Sequence, residues 1–159
     1  AVYADLGTVR TGGMVDDYFV IRFLRPALAP ELKVSLKASY LMRTPEPRFV
    51  LHGTLGSFVK YGIDRQEEDL IAGKSPLEQN WGKEDEEFYG WLHTEADGRE
   101  INTRYEGPAG NYGAFYDNIY HHLRLNEALE TDASEVLDVI RIIEAAYQSH
   151  KEERIIHLR

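Results

Sequence analysis

Asp117 and His121 stand four residues apart in the run Asp117-Asn118-Ile119-Tyr120-His121. On a helix, residues i and i+4 share a face, so this carboxylate could orient this imidazole for proton transfer. The same stretch carries Phe115, Ile119 and Leu123 on its apolar side. Asp117 and His121 therefore fall on the polar side, and we read them as a solvated helix face. His121 and His122 are neighbours, a spacing that does not aim both rings at one metal. With no cysteine in the chain and no third ligand close by, no metal site is expected.

Two other places suit hydroxylated ligands. Asp16 and Asp17 precede the apolar run Tyr18–Leu24, and paired carboxylates at a strand entrance can accept hydrogen bonds from sugar hydroxyls. The plainer reading is a solvated turn that keeps the strand in register. Asn111 and Tyr112 follow Gly110 where an aromatic helix should begin, and helix N-termini carry unpaired N–H donors. Tyr112 is placed at a pocket rim, and Tyr116 and Tyr120 in the core. Lys60 and Arg65 could meet a phosphate or serve as charges that keep an edge strand from pairing. Glu84-Asp85-Glu86-Glu87 reads as a solvated run.

A dinucleotide site needs a glycine-rich turn between a strand and a helix. The chain has no GxGxxG, and Thr11-Gly12-Gly13 leads into a strand, so it is a plain turn. This chain alone is expected to bind no cofactor. The 159 residues carry a formal charge of −9, which disfavours nucleic acid as a partner. No apolar run approaches the ~20 residues of a membrane span, and Ala1–Arg10 does not read as a signal peptide. A hydrophobic fraction of 43% with 28% charged residues is that of an ordinary folded domain.

The elements that must position these residues follow from periodicity. Val2–Val9 and Tyr18–Leu24 read as strands, the second apolar on both faces. Lys33–Leu41 alternates with a period of two. Thr44-Pro45-Glu46-Pro47 breaks it before a hairpin whose arms are Phe49–Leu51 and Ser57–Tyr61. Arg65–Ala72 is a short helix, and Ser75–Glu87 a surface excursion. Tyr89–Thr94 and Glu100–Tyr105 are strands around an Ala96-Asp97-Gly98 turn. Asn111–Leu123 is an amphipathic helix. Asp132 and Glu135 form a capping box before a second helix, whose face is Val136, Val139, Ile140, Ile143 and Tyr147. Arg154–Leu158 closes the chain as a strand. Consecutive strands followed by long helices give an α+β fold: an open, largely antiparallel β-sheet with helices on one face.

Residues 47–73, PRFVLHGTLGSFVKYGIDRQEEDLIAG, resemble the C-terminal domain of the Gfo/Idh/MocA family, and the likeness runs from about Ala4 to the C-terminus. The family comprises NAD(P)-dependent dehydrogenases of sugars and inositols, and the chain looks most like its NADP-dependent scyllo-inositol members. The resemblance implies a dihydrodipicolinate reductase-like or GAPDH-like C-terminal domain whose open sheet face makes a homodimer. It implies that the Asp16–Asp17 loop and the Asn111–Tyr112 segment border the substrate. The family's catalytic lysine lies in a Glu-Lys-Pro motif, absent here, and its Asp-x-x-x-His pair precedes the first strand. Residues 1–159 are thus expected to be one substrate and dimerisation domain of a cytoplasmic oxidoreductase, inactive alone, with NAD(P) bound by a separate nucleotide domain. The alternative is a stand-alone module that uses its open sheet for protein association, and the coding sequence upstream of Ala1 separates the two.

Overall fold

Every second residue of strand β1 (Val2–Gly7) is apolar and buried: Val2, Ala4 and Leu6 point inward. That alternation is the period of a pleated strand with one covered face. In this computed structural model, which describes residues 1–25 and 29–158, the chain is α+β. Seven strands form two antiparallel sheets and are accompanied by three helices among the described residues. The strands read from the sequence are present apart from the closing one at Arg154–Leu158, but they fall into a sheet of three and a sheet of four. Thr44-Pro45-Glu46-Pro47 lies between the two in sequence, and proline has no N–H to extend a ladder. The described residues group into two compact units, Ala1–Arg43 with Glu130–Arg159, and Thr44–Leu129.

In the first unit, β1, β2 (Tyr18–Phe23) and β3 (Val34–Ser39) lie in sequence order. Val2 pairs with Phe23, Ala4 with Ile21 and Leu6 with Phe19. These side chains share a face with Ala145, Ala146 and Ile142 of the long helix α3 (Ala133–Glu152) and with Ile156, and together they form the core. The register puts Tyr18, Val20 and Arg22 on the opposite face, beside Tyr3 and Asp5 of β1 and Ser35, Lys37 and Ser39 of β3. The outer face of β2 is therefore mixed, and not apolar throughout as its composition suggested.

Helix α3 also closes the free edge of β1. The Ala4 N–H donates to Ser149 Oγ at 3.0 Å, and the Leu6 N–H to His150 Nδ1 at 3.2 Å. Those donors would otherwise lack a strand partner. The expected closing strand is a single bridge, Val2 to Ile156. The capping box is present: Asp132 Oδ1 accepts from the Ser134 and Glu135 N–H groups at 2.8 and 3.1 Å, and the Asp132 N–H donates to Glu135. The buried face of α3 differs from the predicted one. Ile142, Ala145, Ala146 and Ser149 pack inward, whereas Val136, Val139, Ile140, Ile143 and Tyr147 remain between 44% and 55% exposed. Small side chains let the helix approach the strand edge closely, so the less hydrophobic sector is the one that packs.

In the second unit, β4 (Phe49–His52), β5 (Gly56–Lys60), β6 (Gly90–Ala96) and β7 (Arg99–Tyr105) form a meander. Asp97 and Gly98 join the last two strands at φ of 52° and 70°, the doubly positive geometry of a tight hairpin turn. Helix α1 (Gln66–Ile71) follows β5, and helix α2 (Tyr112–Leu125) ends the unit.

Candidate functional site

The start of α2 is pinned through three backbone N–H groups, two before the helix and one at its first residue. Gly107 donates to Glu84 Oε1 at 3.0 Å, Gly110 to the Gly82 carbonyl at 2.9 Å, and Tyr112 to Gln66 Oε1 at 2.8 Å. The Trp81 indole N–H donates to the same Gln66 oxygen at 2.9 Å. Gln66 is 1% exposed, and its own N–H is held by Asp64 Oδ1. Residues 81–84 thus form a staple, not the surface excursion expected from their polarity. The approach is close enough to require glycine on both sides. A Cβ on Gly82, at φ +71°, would lie 1.9 Å from the Gly110 oxygen, and one on Gly110 would lie 2.3 Å from Gln66 Nε2.

On this anchored stem Asn111 caps the helix, with Oδ1 accepting from the Ala114 N–H at 3.2 Å. Tyr112 follows, 45% exposed, so its phenol can donate or accept at the surface. Tyr116 and Tyr120 are exposed, which corrects their reading as core; Phe115 and Tyr116 stack edge to face on each other, ring centroids 5.4 Å apart.

The charges nearby are paired. Lys60 donates to Glu84 and to the Phe88 carbonyl, so Glu84 is not part of a solvated run. Arg65 meets Asp85 at 2.6 Å, and that carboxylate holds the guanidinium above its usual pKa. Burial, then the Glu106 carboxylate, push the Tyr89 phenol up. His121 lies 3.5 Å from Glu127 rather than engaging Asp117, and His122 Nδ1 donates to the Glu127 carbonyl.

Asp16 and Asp17 belong to the first unit, and they differ. Asp16 is exposed. The Asp17 side chain is 2% exposed, and both oxygens are engaged: Oδ1 accepts from the Val9 N–H at 2.7 Å and Oδ2 from Arg10 Nε at 2.6 Å. Arg10 in turn lies 4.1 Å above the Tyr40 ring. The Val9 N–H, followed by Arg10, holds the Asp17 carboxyl below the usual aspartate value. This arrangement braces the β1–β2 loop. Beside it, Tyr3, Asp5, Tyr18, Arg22 and His150 line an open groove of about 680 Å³.

Neither longer helix start suits a nucleotide pyrophosphate. That of α2 is capped by Gln66 and Asn111, and that of α3 by the carboxylate of Asp132, which would repel an anion. Gly12 and Gly13 lead into β2 rather than a helix. Gln66, the hub of the α2 stem, was not singled out from the sequence. A glutamine in RQEEDLIA carries no local mark of burial, and its partners lie 15 and 46 residues away.

The model of the oxidoreductase family C-terminal alpha/beta domain, GFO_IDH_MocA_C, matches residues 5–158. The scyllo-inositol 2-dehydrogenase (NADP(+)) IolW of Bacillus subtilis is 39% identical over 128 residues, covering 80% of this chain and 36% of that protein. An uncharacterized oxidoreductase of Schizosaccharomyces pombe is 36% identical over 155 residues, covering 91% of this chain and 42% of that protein. A crystal structure of a candidate oxidoreductase from Bacteroides fragilis superposes with a TM-score of 0.94 at 62% identity, covering 99% of this chain and 46% of the other. The chain spans less than half the length of each of these relatives.

Proposed function

The chain belongs to the Gfo/Idh/MocA oxidoreductase family as its C-terminal alpha/beta domain, and we propose that it is the substrate-binding and oligomerisation domain of an NAD(P)-dependent oxidoreductase acting on a CH–OH group of an inositol, sugar or other polyol. The observation that carries this reading is the identity with a scyllo-inositol 2-dehydrogenase across four-fifths of the chain. Tyr112 offers its phenol and Asn111 its amide Nδ2 to substrate hydroxyls, a chemistry suited to neutral polyols. In the first unit, Asp17 braces the β1–β2 loop that carries the exposed Asp16. The hydride acceptor and the base that removes the hydroxyl proton are assigned to chain outside these residues.

The test is turnover by the full-length protein. NADP⁺ or NAD⁺ should be reduced in the presence of scyllo-inositol, myo-inositol or a member of a sugar panel. Tyr112→Phe should raise the polyol KM several-fold at unchanged cofactor affinity, as the loss of ~0.5–1.5 kcal/mol would. Absence of reduction with every polyol overturns the reading. The isolated chain should show no heat of binding with NADH or NADPH in calorimetry, and micromolar binding would displace the cofactor assignment.

A further inference from the structure

We propose that Gln66 is a positioning residue for the substrate: its buried carboxamide fixes the first turn of α2, and with it the presentation of Asn111 and Tyr112. The proposal rests on the reading of Tyr112 as a polyol contact. Gln66 is among the largest fully buried side chains among the described residues. Its Oε1 takes two donors, the Trp81 indole and the Tyr112 backbone, and so uses both lone pairs of the carbonyl oxygen. Gln66 and Asn111 divide the donors of the α2 start, one taking the Tyr112 N–H and the other the Ala114 N–H. Gly110 packs directly against the amide, since a Cβ there would strike Gln66 Nε2, and Gly82 packs in turn against the Gly110 backbone. A residue that only filled the interior would not need to be polar, since a buried amide is tolerated only when its hydrogen bonds are made. Here one of those bonds ends on the backbone of the residue that faces the ligand.

The neutral amide matters as well. Gln66 Nε2 and Asp64 Oδ2 lie 2.3 and 2.5 Å from the same point, the place where a Cβ of Gly110 would stand. A glutamate at position 66 would set a second carboxylate beside Asp64. Exchanging the two chemistries, with asparagine at 64 and glutamate at 66, keeps the acceptor for Trp81 and Tyr112 without two like charges.

The experiment uses the full-length protein with NADP⁺ and scyllo-inositol, together with hydrogen exchange at the Tyr112 amide. Gln66→Met should raise the inositol KM about fivefold, the effect of losing one neutral hydrogen bond. The KM for NADP⁺ should stay unchanged, and the Tyr112 amide should exchange at least about tenfold faster. Q66E should behave similarly, and the D64N/Q66E double variant should return both readouts to within about twofold of wild type; this pair carries the test if Gln66→Met does not fold. A lower melting temperature with an unchanged inositol KM would make Gln66 a fold staple only and overturn the proposal. If wild-type protein turns over no polyol, the proposed function fails, and unchanged Tyr112 exchange in the variants is then the result that removes Gln66 as a positioning residue.

Discussion

Lys60 and Glu84 form a partly buried ion pair, their side chains 15% and 6% exposed, that ties β5 to the stem of α2. Lys60 also donates to the Phe88 carbonyl, and Glu84 also accepts from Gly107. Removing one partner of such a pair leaves the other charge without compensation. Lys60→Met should therefore destabilise the protein by about 1.5–3 kcal/mol, the range for a hydrogen bond to a charged group. Glu84→Gln should cost less, because the amide oxygen still accepts from the Gly107 N–H. The double variant should lose less than the sum, since both changes act on one interaction. Chemical denaturation measures all three. A cost below ~1 kcal/mol for Lys60→Met would mean that water replaces the lysine and that the pair does not anchor the stem.

Glycine at position 82 gives a contrast with a built-in control. Gly82 and Gly98 have nearly the same φ, +71° and +70°, yet a Cβ on Gly98 meets nothing within 4 Å while one on Gly82 strikes the Gly110 backbone. Gly98→Ala should cost only the left-handed backbone penalty, about 1–2 kcal/mol. Gly82→Ala adds an overlap with main chain that cannot rotate away, worth about 1–3 kcal/mol more. Equal melting temperatures for the two variants would mean that the 82–110 approach is loose.

These two sites also mark where the sequence stops being informative. Hairpins, caps and strands are local, and Asp97-Gly98, Asp132 with Glu135, and a strand over Val2–Val9 were all legible. The burial of Glu84 was not, because its partner lies 24 residues away and its neighbours Asp85, Glu86 and Glu87 resemble a solvated run. Helix α3 misled for a different reason. Periodicity favours the sector with the largest apolar side chains, but closeness to β1 favours Ala145, Ala146 and Ser149. At the candidate site, the helix start at Asn111 and Tyr112 could be named from the sequence, and its support by Gln66, Trp81 and Gly82 could not.

Acid should weaken the first unit through Asp17. Its folded carboxyl titrates below the usual value of 3.8, because the Val9 N–H and Arg10 favour the ionised form. Near that pH the unfolded chain binds more protons than the folded one. The stabilisation is thus fully present above 3.8 and is lost as pH falls through the lowered folded value. Asp132 has the same sign, through the Ser134 hydroxyl first and then the Glu135 N–H. The melting-temperature gap between wild type and Asp17→Asn should be constant from about pH 7 to about pH 5 and narrow below about pH 4. A gap of constant size down to about pH 2 would show that Asp17 gains nothing from its charge.

The last expectation concerns the outer face of the three-stranded sheet, and we propose that a second copy of the chain covers it. Helix α3 packs on the side of Ala4 and Ile21. The opposite side presents Tyr3, Tyr18 and Val20 with Asp5, Arg22 and Lys37 around them. Aromatic and aliphatic groups ringed by charges of both signs suit the core and rim of an interface. A twofold axis sets the same patch on both partners, so acidic and basic groups on one copy can meet their opposites on the other. The gross gain is about 25 cal/mol per Å² of apolar area, reduced by the cost of association, so the contact must approach the ~800 Å² per partner of a stable interface. Val20 is the outward residue to change, because it sits between Asp5 and Lys37 in the register, with charged neighbours on either side of an apolar centre. Val20→Glu would bury a charge at that centre and should convert a dimer into a monomer at micromolar concentration, whereas Ile21→Glu should unfold the first unit instead. Light scattering distinguishes the outcomes: a wild-type monomer, or a Val20→Glu variant that remains dimeric, would remove this face as the site of self-association.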